Sequence, residues 1–223
     1  VLRSSLREDS PAPTHSSCYA QKMYLTEDPS DMILASGNCV FISPDLVLSN
    51  YHVLGKRDLY YTDESAIAIH TFIRTDDGFQ SFVSHPVALS PLYDLALVQL
   101  EEKNPNFQGL GISQALEEKY MKYSYSYTHP VDPEKRLGSL SVTSGNLDYL
   151  SSTQNYGYTQ EGSHSYPSFY VTPALERGYS GSPVFQNGKL IGLVASVSFE
   201  NGHTIITPHV KNFLEDILEE KEE

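Results

Sequence analysis

Apolar residues along this chain come in short runs, broken by Gly, Pro, Asn, Asp or Ser at roughly ten-residue spacing. That is the pattern of barrels and sandwiches built from short strands. It predicts strands over 19–25, 38–43, 45–50, 57–62, 66–75, 80–88 and 95–100, then a second set over 119–127, 138–144, 166–172, 183–186, 189–198 and 203–207. The polar, turn-forming stretch 101–115 lies between the sets and reads as a linker. Residues 145–165 are turn-rich and predict a long surface hairpin, while Tyr123, Tyr125 and Tyr127 alternate with serine and share one strand face. Only the end is helical in period: after Pro208, which suits a first helical turn, Val210, Phe213, Leu214, Ile217 and Leu218 recur at three- and four-residue steps.

Composition narrows the class. The 223 residues suffice for one large domain or two lobes sharing an interface, and 14 Gly with 13 Pro suit a loop-rich β protein. A net charge of −13 argues against nucleic acid or an anionic membrane as a partner. No apolar run reaches the roughly 18 residues of a spanning helix, so no membrane insertion is expected. The chain starts at Val1 without a methionine or an apolar signal core, and is read as a mature or trimmed form. Cys18 and Cys39 permit a single bridge. If the strands that carry them pair, a disulfide would close a loop of roughly 20 residues and contribute about 3 kcal/mol; two buried free thiols are the other outcome.

The chemistry concentrates in Gly178-Tyr179-Ser180-Gly181-Ser182-Pro183-Val184-Phe185, a serine between glycines ahead of an apolar strand. Glycine at 178 permits dihedrals that a side chain forbids, so the amides of Gly178 and Ser180 can converge on one spot as an oxyanion hole requires. A serine hydroxyl needs an adjacent base. His52 lies upstream in Leu48-Ser49-Asn50-Tyr51-His52-Val53, and Asp94 opens the nearly continuous apolar strand Leu95-Ala96-Leu97-Val98-Gln99-Leu100. The order His, Asp, Ser is that of the chymotrypsin-type triad, with His52 as general base and Asp94 holding its tautomer. The other histidines (His15, His70, His85, His129, His164, His203 and His209) share no metal-ligand spacing, and two cysteines do not make a zinc site. Neither metal nor organic cofactor is expected.

Three segments, 37–54, 93–100 and 178–198, together resemble trypsin-like serine proteases of the chymotrypsin fold. The nearest likeness is to the bacterial branch of glutamyl endopeptidases and HtrA-type proteases: Ser182 stands where animal trypsins have glycine, and the tail Ile206-Thr207-Pro208-His209-Val210 is similar to the glutamyl endopeptidase version. The resemblance implies an all-β fold of two six-stranded antiparallel barrels with a C-terminal helix. Its expected division is an extended arm at 1–17, barrels at 18–105 and 106–207, and a helix with acidic tail at 208–223. It also places Ala174 and Leu175 on one wall of a specificity pocket, Val194, Ala195, Ser196 and Val197 on the other, and Thr204 near its base.

Several residues depart from the family pattern. Glutamyl endopeptidases carry a histidine where Val194 stands, and no carboxylate falls at the pocket base, so cleavage after small or aliphatic residues is expected rather than after Glu, Lys or Arg. Ala195 replaces a serine that supports the triad aspartate in trypsins. Tyr179 replaces the aspartate that pairs with their freed amino terminus, which implies an oxyanion hole formed without that switch. The resulting expectation is a secreted or periplasmic serine endopeptidase acting on protein or peptide substrates. A pseudoprotease that binds proteins or peptides on the same fold is the alternative, and the oligomeric state stays open.

Overall fold

The computed structural model describes residues 16–26, 32–55, 60, 63–75, 78–113, 122–128, 140–159, 162–172, 178–186, 188–198, 203–207 and 209–220. Most of the expected arm (1–15), most of the expected strand 57–62, and Pro208 lie outside them. Six strands, β1 (Ser17–Tyr24), β2 (Met32–Phe41), β3 (Leu46–Ser49), β4 (Ile67–Thr75), β5 (Gly78–Ser90) and β6 (Leu95–Leu100), close into an antiparallel barrel in the order β1-β2-β3-β6-β5-β4. A further six, β7 (Lys122–Thr128), β8 (Leu140–Thr159), β9 (Gly162–Thr172), β10 (Pro183–Gln186), β11 (Lys189–Ser198) and β12 (His203–Thr207), pair in the order β10-β11-β12-β9-β8-β7, and β7 returns to β10 through Ser124 and Tyr125. Helix α1 (Val210–Glu220) follows. The chain is thus mostly β with one short C-terminal helix, as the apolar pattern predicts, and its closed six-stranded barrel is what the family resemblance implies.

The near-continuous apolar run of β6 has a physical reason. Alternate strand residues face opposite sides, and both sides of β6 are covered. Ala96, Val98 and Leu100 fill the barrel interior with Cys39, Phe41, Val47, Ile69, Ile73 and Phe82. Leu95 and Leu97 face outward with Val40 and Leu48, against Phe185, Leu190 and Leu193 of β10–β11 and Val210 and Phe213 of α1. That second apolar cluster is the seam between the two sets of strands, and it fixes where β6 begins relative to β10. Leu214 and Ile217 pack on its rim, as the helical period predicts. The 101–113 segment contributes no strand but is stitched to β11: Ser113 donates to the Leu190 carbonyl (2.9 Å) and Leu190 to that of Gly111 (2.8 Å).

The hairpin expected at 145–165 is longer than its turn-rich composition implies. β8 and β9 stay paired from Asn146↔Thr172 to Thr159↔Gly162, with register shifts at Leu147/Tyr149, Ser151/Gln154 and Tyr156/Tyr158. Bulges absorb the extra residues without ending the strand.

Cys18 and Cys39 are direct cross-strand partners in the β1–β2 register and are joined by a disulfide, with Cα atoms 4.8 Å apart. The free-thiol alternative is therefore set aside. Both cysteines are buried in the barrel core. Replacing both by alanine is expected to remove about 3 kcal/mol of stability, or roughly 6–12 °C in Tm for a chain of this size. Thermal denaturation of the oxidised protein and the double variant checks this, and equal Tm values would show that the bridge contributes nothing.

Candidate active site

At the seam end of β6, Asp94 takes a left-handed backbone (φ 54°), a region that aspartate tolerates better than most side chains but at about 1 kcal/mol or more. The backbone around it is pinned: Asn50 Nδ2 donates to the Asp94 carbonyl (3.0 Å), and Thr207 Oγ1 donates to the Tyr93 carbonyl (2.9 Å). The turn thereby aims the carboxylate at His52. Oδ2 lies 2.7 Å from His52 Nδ1, and Oδ1 accepts the His52 backbone amide at 2.9 Å. One residue thus engages both oxygens, fixing the ring's orientation and its position along the chain.

His52 sits in a five-residue π-helical turn, Tyr51–Gly55, which the apolar pattern does not reveal. The turn winds on the Asn50 carbonyl, which accepts from Val53 (3.2 Å) and Leu54 (3.1 Å), and those two side chains are buried in the barrel core. The side chain of Asp94 is 6% exposed and that of His52 is 37% exposed. The carboxylate is shielded while the imidazole keeps an open edge, as a base that must meet a substrate requires.

The nucleophile turn is held carbonyl by carbonyl. The Gly178 carbonyl accepts Asn38 Nδ2 (2.7 Å), that of Tyr179 accepts the Ser182 amide (2.9 Å), and that of Ser180 accepts the Asn38 amide (2.7 Å). Gly181 donates to the Val194 carbonyl (2.8 Å), and Val194 returns a bond to Ser182 (2.9 Å). Gly178 and Gly181 have φ of 96° and 82°, open to glycine and strained for other residues. At Gly181 space also forbids a side chain, since a Cβ would strike the Asn38 carbonyl and lie 2.8 Å from Ser49 Oγ.

Gly37 brings the two halves together. A Cβ there would lie 2.9 Å from Val53, next in sequence to His52, and 3.0 Å from the Ser180 carbonyl. Of the three expected triad members, His52 and Asp94 are hydrogen-bonded. Among the described residues, the Ser180 hydroxyl donates to the Ala195 carbonyl at 3.4 Å and not to His52. Ala195 occupies a register shift between Val194 and Ser196, and such a bulge re-aims a backbone group. Among the described residues, no three His, Cys, Asp or Glu side chains gather to hold a metal.

Residues 37–193, well over half of the chain, match the trypsin-like peptidase domain family. The chain belongs to that family. The trypsin-like peptidase fold extends to solved structures of low identity. The active form of the Rv3671c protease from M. tuberculosis is 17% identical over 91% of this chain and 81% of its own, with a TM-score of 0.66. Deg5 is 16% identical over 90% and 86%, with a TM-score of 0.63. The MamO protease domain from Magnetospirillum magneticum is 14% identical over 86% and 91%, with a TM-score of 0.60. These likenesses show the fold. No curated protein sequence matches the chain. The family implied by the three sequence motifs is the family found, and a protease of this family acts on protein or peptide substrates.

Of the expected pocket residues, Ala174 and Leu175 lie outside the described residues. Val194 and Ala195 are buried beside the nucleophile turn, and Ser196 follows half-buried. Val197 and Thr204 are cross-strand partners on β11 and β12. Two site residues escaped the motif reading, Asn38 and Asn50, both fully buried. Their signal in the sequence is a side-chain amide at the edge of an apolar run; a buried amide is a placed donor or acceptor.

Proposed function

We propose that the chain is a serine endopeptidase working through His52, Asp94 and Ser180. The observation that carries the reading is the pair of hydrogen bonds between the Asp94 carboxylate and His52, found at the seam of a trypsin-like peptidase domain. With Nδ1–H donated to Asp94, the lone pair of Nε2 is left to take the Ser180 proton as Oγ attacks the scissile carbonyl. The carbonyl oxygen becomes an oxyanion received by the Gly178 and Ser180 amides, each worth about 3 kcal/mol in the barrier. His52 then returns the proton to the leaving amine, and water hydrolyses the acyl-enzyme by the same relay in reverse. The two rings of six strands act as the barrel pair of the chymotrypsin fold, with the triad at their seam.

In this reading Val194, Ala195, Ser196 and Val197 form one uncharged wall, Ala174 and Leu175 the other, and Thr204 lies near the base, a set of residue types that favours a small or aliphatic residue before the scissile bond. The disulfide fits an oxidising compartment, so a secreted or periplasmic site of action is the natural one. Among the described residues no helix is long and apolar enough to cross a membrane.

The pseudoprotease reading draws on one observation, the Ser180 hydroxyl turned toward Ala195. At 3.4 Å that bond is long and weak, and catalytic hydrogen bonds often tighten only with substrate bound. A fluorophosphonate probe separates the readings: covalent labelling that maps to Ser180 supports the protease, and an unlabelled native chain sinks it. A peptide-library profile dominated by Glu, Lys or Arg before the cleaved bond would overturn the specificity alone.

A further inference from the structure

Resting on the protease reading of the same turn, we propose that Asn38 is a positioning residue for the oxyanion hole, acting through its side-chain amide on Gly178. Gly178 carries one of the two oxyanion donors and is the least supported residue of the turn. It is exposed, its φ is 96°, and among the described residues no atom lies within 4 Å of where its Cβ would be. Among the described residues nothing fills that space, and glycine has the widest backbone freedom of any residue. Among the described residues, the bond from Asn38 Nδ2 (2.7 Å) is the one its carbonyl receives.

Asn38 is a rigid place from which to hold it. The residue is fully buried, stands in β2 opposite Tyr19 of β1, and is followed by Cys39 of the disulfide. Its own carbonyl accepts Ser49 Oγ (2.7 Å), and its amide holds the Ser180 carbonyl. The first and third carbonyls of the turn are thus clamped by one residue of the first barrel. The bond fixes the plane of the Gly178–Tyr179 peptide, and so anchors the α-carbon that carries the Gly178 amide. A loosened Gly178 would spend part of its time with its amide turned from the oxyanion position. That loss falls on the transition state and leaves ground-state binding alone.

Asn38→Ala removes the side-chain donor and keeps the backbone bond to Ser180. Asn38→Val does the same with a β-branched residue that suits a strand and carries no donor, guarding against a variant that misfolds. In both, kcat per active site, counted by fluorophosphonate titration, is expected to fall about 100-fold with KM nearly unchanged. Hydrogen exchange at the Tyr179 and Gly181 amides is expected to quicken about tenfold while β1–β6 stay protected. A merely structural role would lower the number of titratable sites and leave kcat per site intact; that result overturns the proposal. If the native chain cleaves no peptide, the protease reading fails by itself, and exchange decides the clamp. Unchanged exchange in the turn refutes it, and faster exchange upholds it.

Discussion

Ser180→Ala is expected to lower kcat for peptide hydrolysis by about 10⁶-fold and to leave the fold as it is. The two halves of this expectation come from different features of the site. The catalytic half follows from the absence of a substitute: the nearby hydroxyl of Ser49 is committed to the Asn38 carbonyl behind Gly181, and it faces the backbone rather than the cleft. What survives is binding and the two backbone amides, which need no hydroxyl and by themselves account for about 10³-fold over water. The structural half follows from the weakness of what is removed. Among the described residues the Ser180 hydroxyl makes one long bond, 3.4 Å to the Ala195 carbonyl, while the turn is carried by backbone bonds that alanine keeps. Stability is therefore expected to change by no more than about 0.5 kcal/mol. Steady-state rates beside a thermal melt check both halves. Residual activity above about a thousandth of native would place the nucleophile elsewhere, and a collapsed melt would make the lost activity uninformative.

What was legible beforehand was local. Gly178–Phe185, the His52 segment and the β6 run each announce themselves within a few residues, because glycine geometry, an adjacent strand and two-sided burial leave short-range marks. Leu95 and Leu97 at the seam, with Ala96 and Val98 in the barrel, are that mark in its plainest form. What was not legible depends on partners far away in sequence. Asn38 clamps a carbonyl 140 residues on, and nothing around position 38 names that partner. The disulfide turned on register: Cys18 and Cys39 face each other because β1 and β2 pair as they do, and a slip of one residue would send the thiols to opposite faces. The left-handed Asp94 lacks a sequence mark for the same reason, since its backbone is pinned by Asn50 and Thr207 from other elements, and the π-helical turn is tied to Asp94 through the His52 amide. β8 ran past its Ser, Asn and Gly residues because pairing with β9 outweighed local turn preference.

The sharpest test of the histidine's role is Asp94→Asn, which changes one atom and is expected to cost about 10⁴-fold in kcat. The reason lies in the backbone bond. The His52 amide can only donate, and it donates to Oδ1 at 2.9 Å, so an asparagine must keep its carbonyl oxygen there. Its NH₂ group then falls where Oδ2 was, 2.7 Å from Nδ1. A donor facing Nδ1 requires that nitrogen to be the acceptor, which puts the ring proton on Nε2. The tautomer so selected presents N–H to Ser180 in place of a lone pair and has no means of taking its proton. Substrate binding does not use this pair, so KM is expected to hold. The fold is expected to hold as well: asparagine accepts a left-handed backbone at least as readily as aspartate, and both bonds to His52 survive with donor and acceptor exchanged at one of them. Rates and a thermal melt check the prediction, and a nitrogen-15 spectrum of the His52 ring reads the tautomer directly. Near-native kcat with the ring proton on Nε2 would remove His52 from the role of base. Near-native kcat with the proton still on Nδ1 would mean that another group orients the ring, and Asp94 would then be a residue of the seam and not of the chemistry.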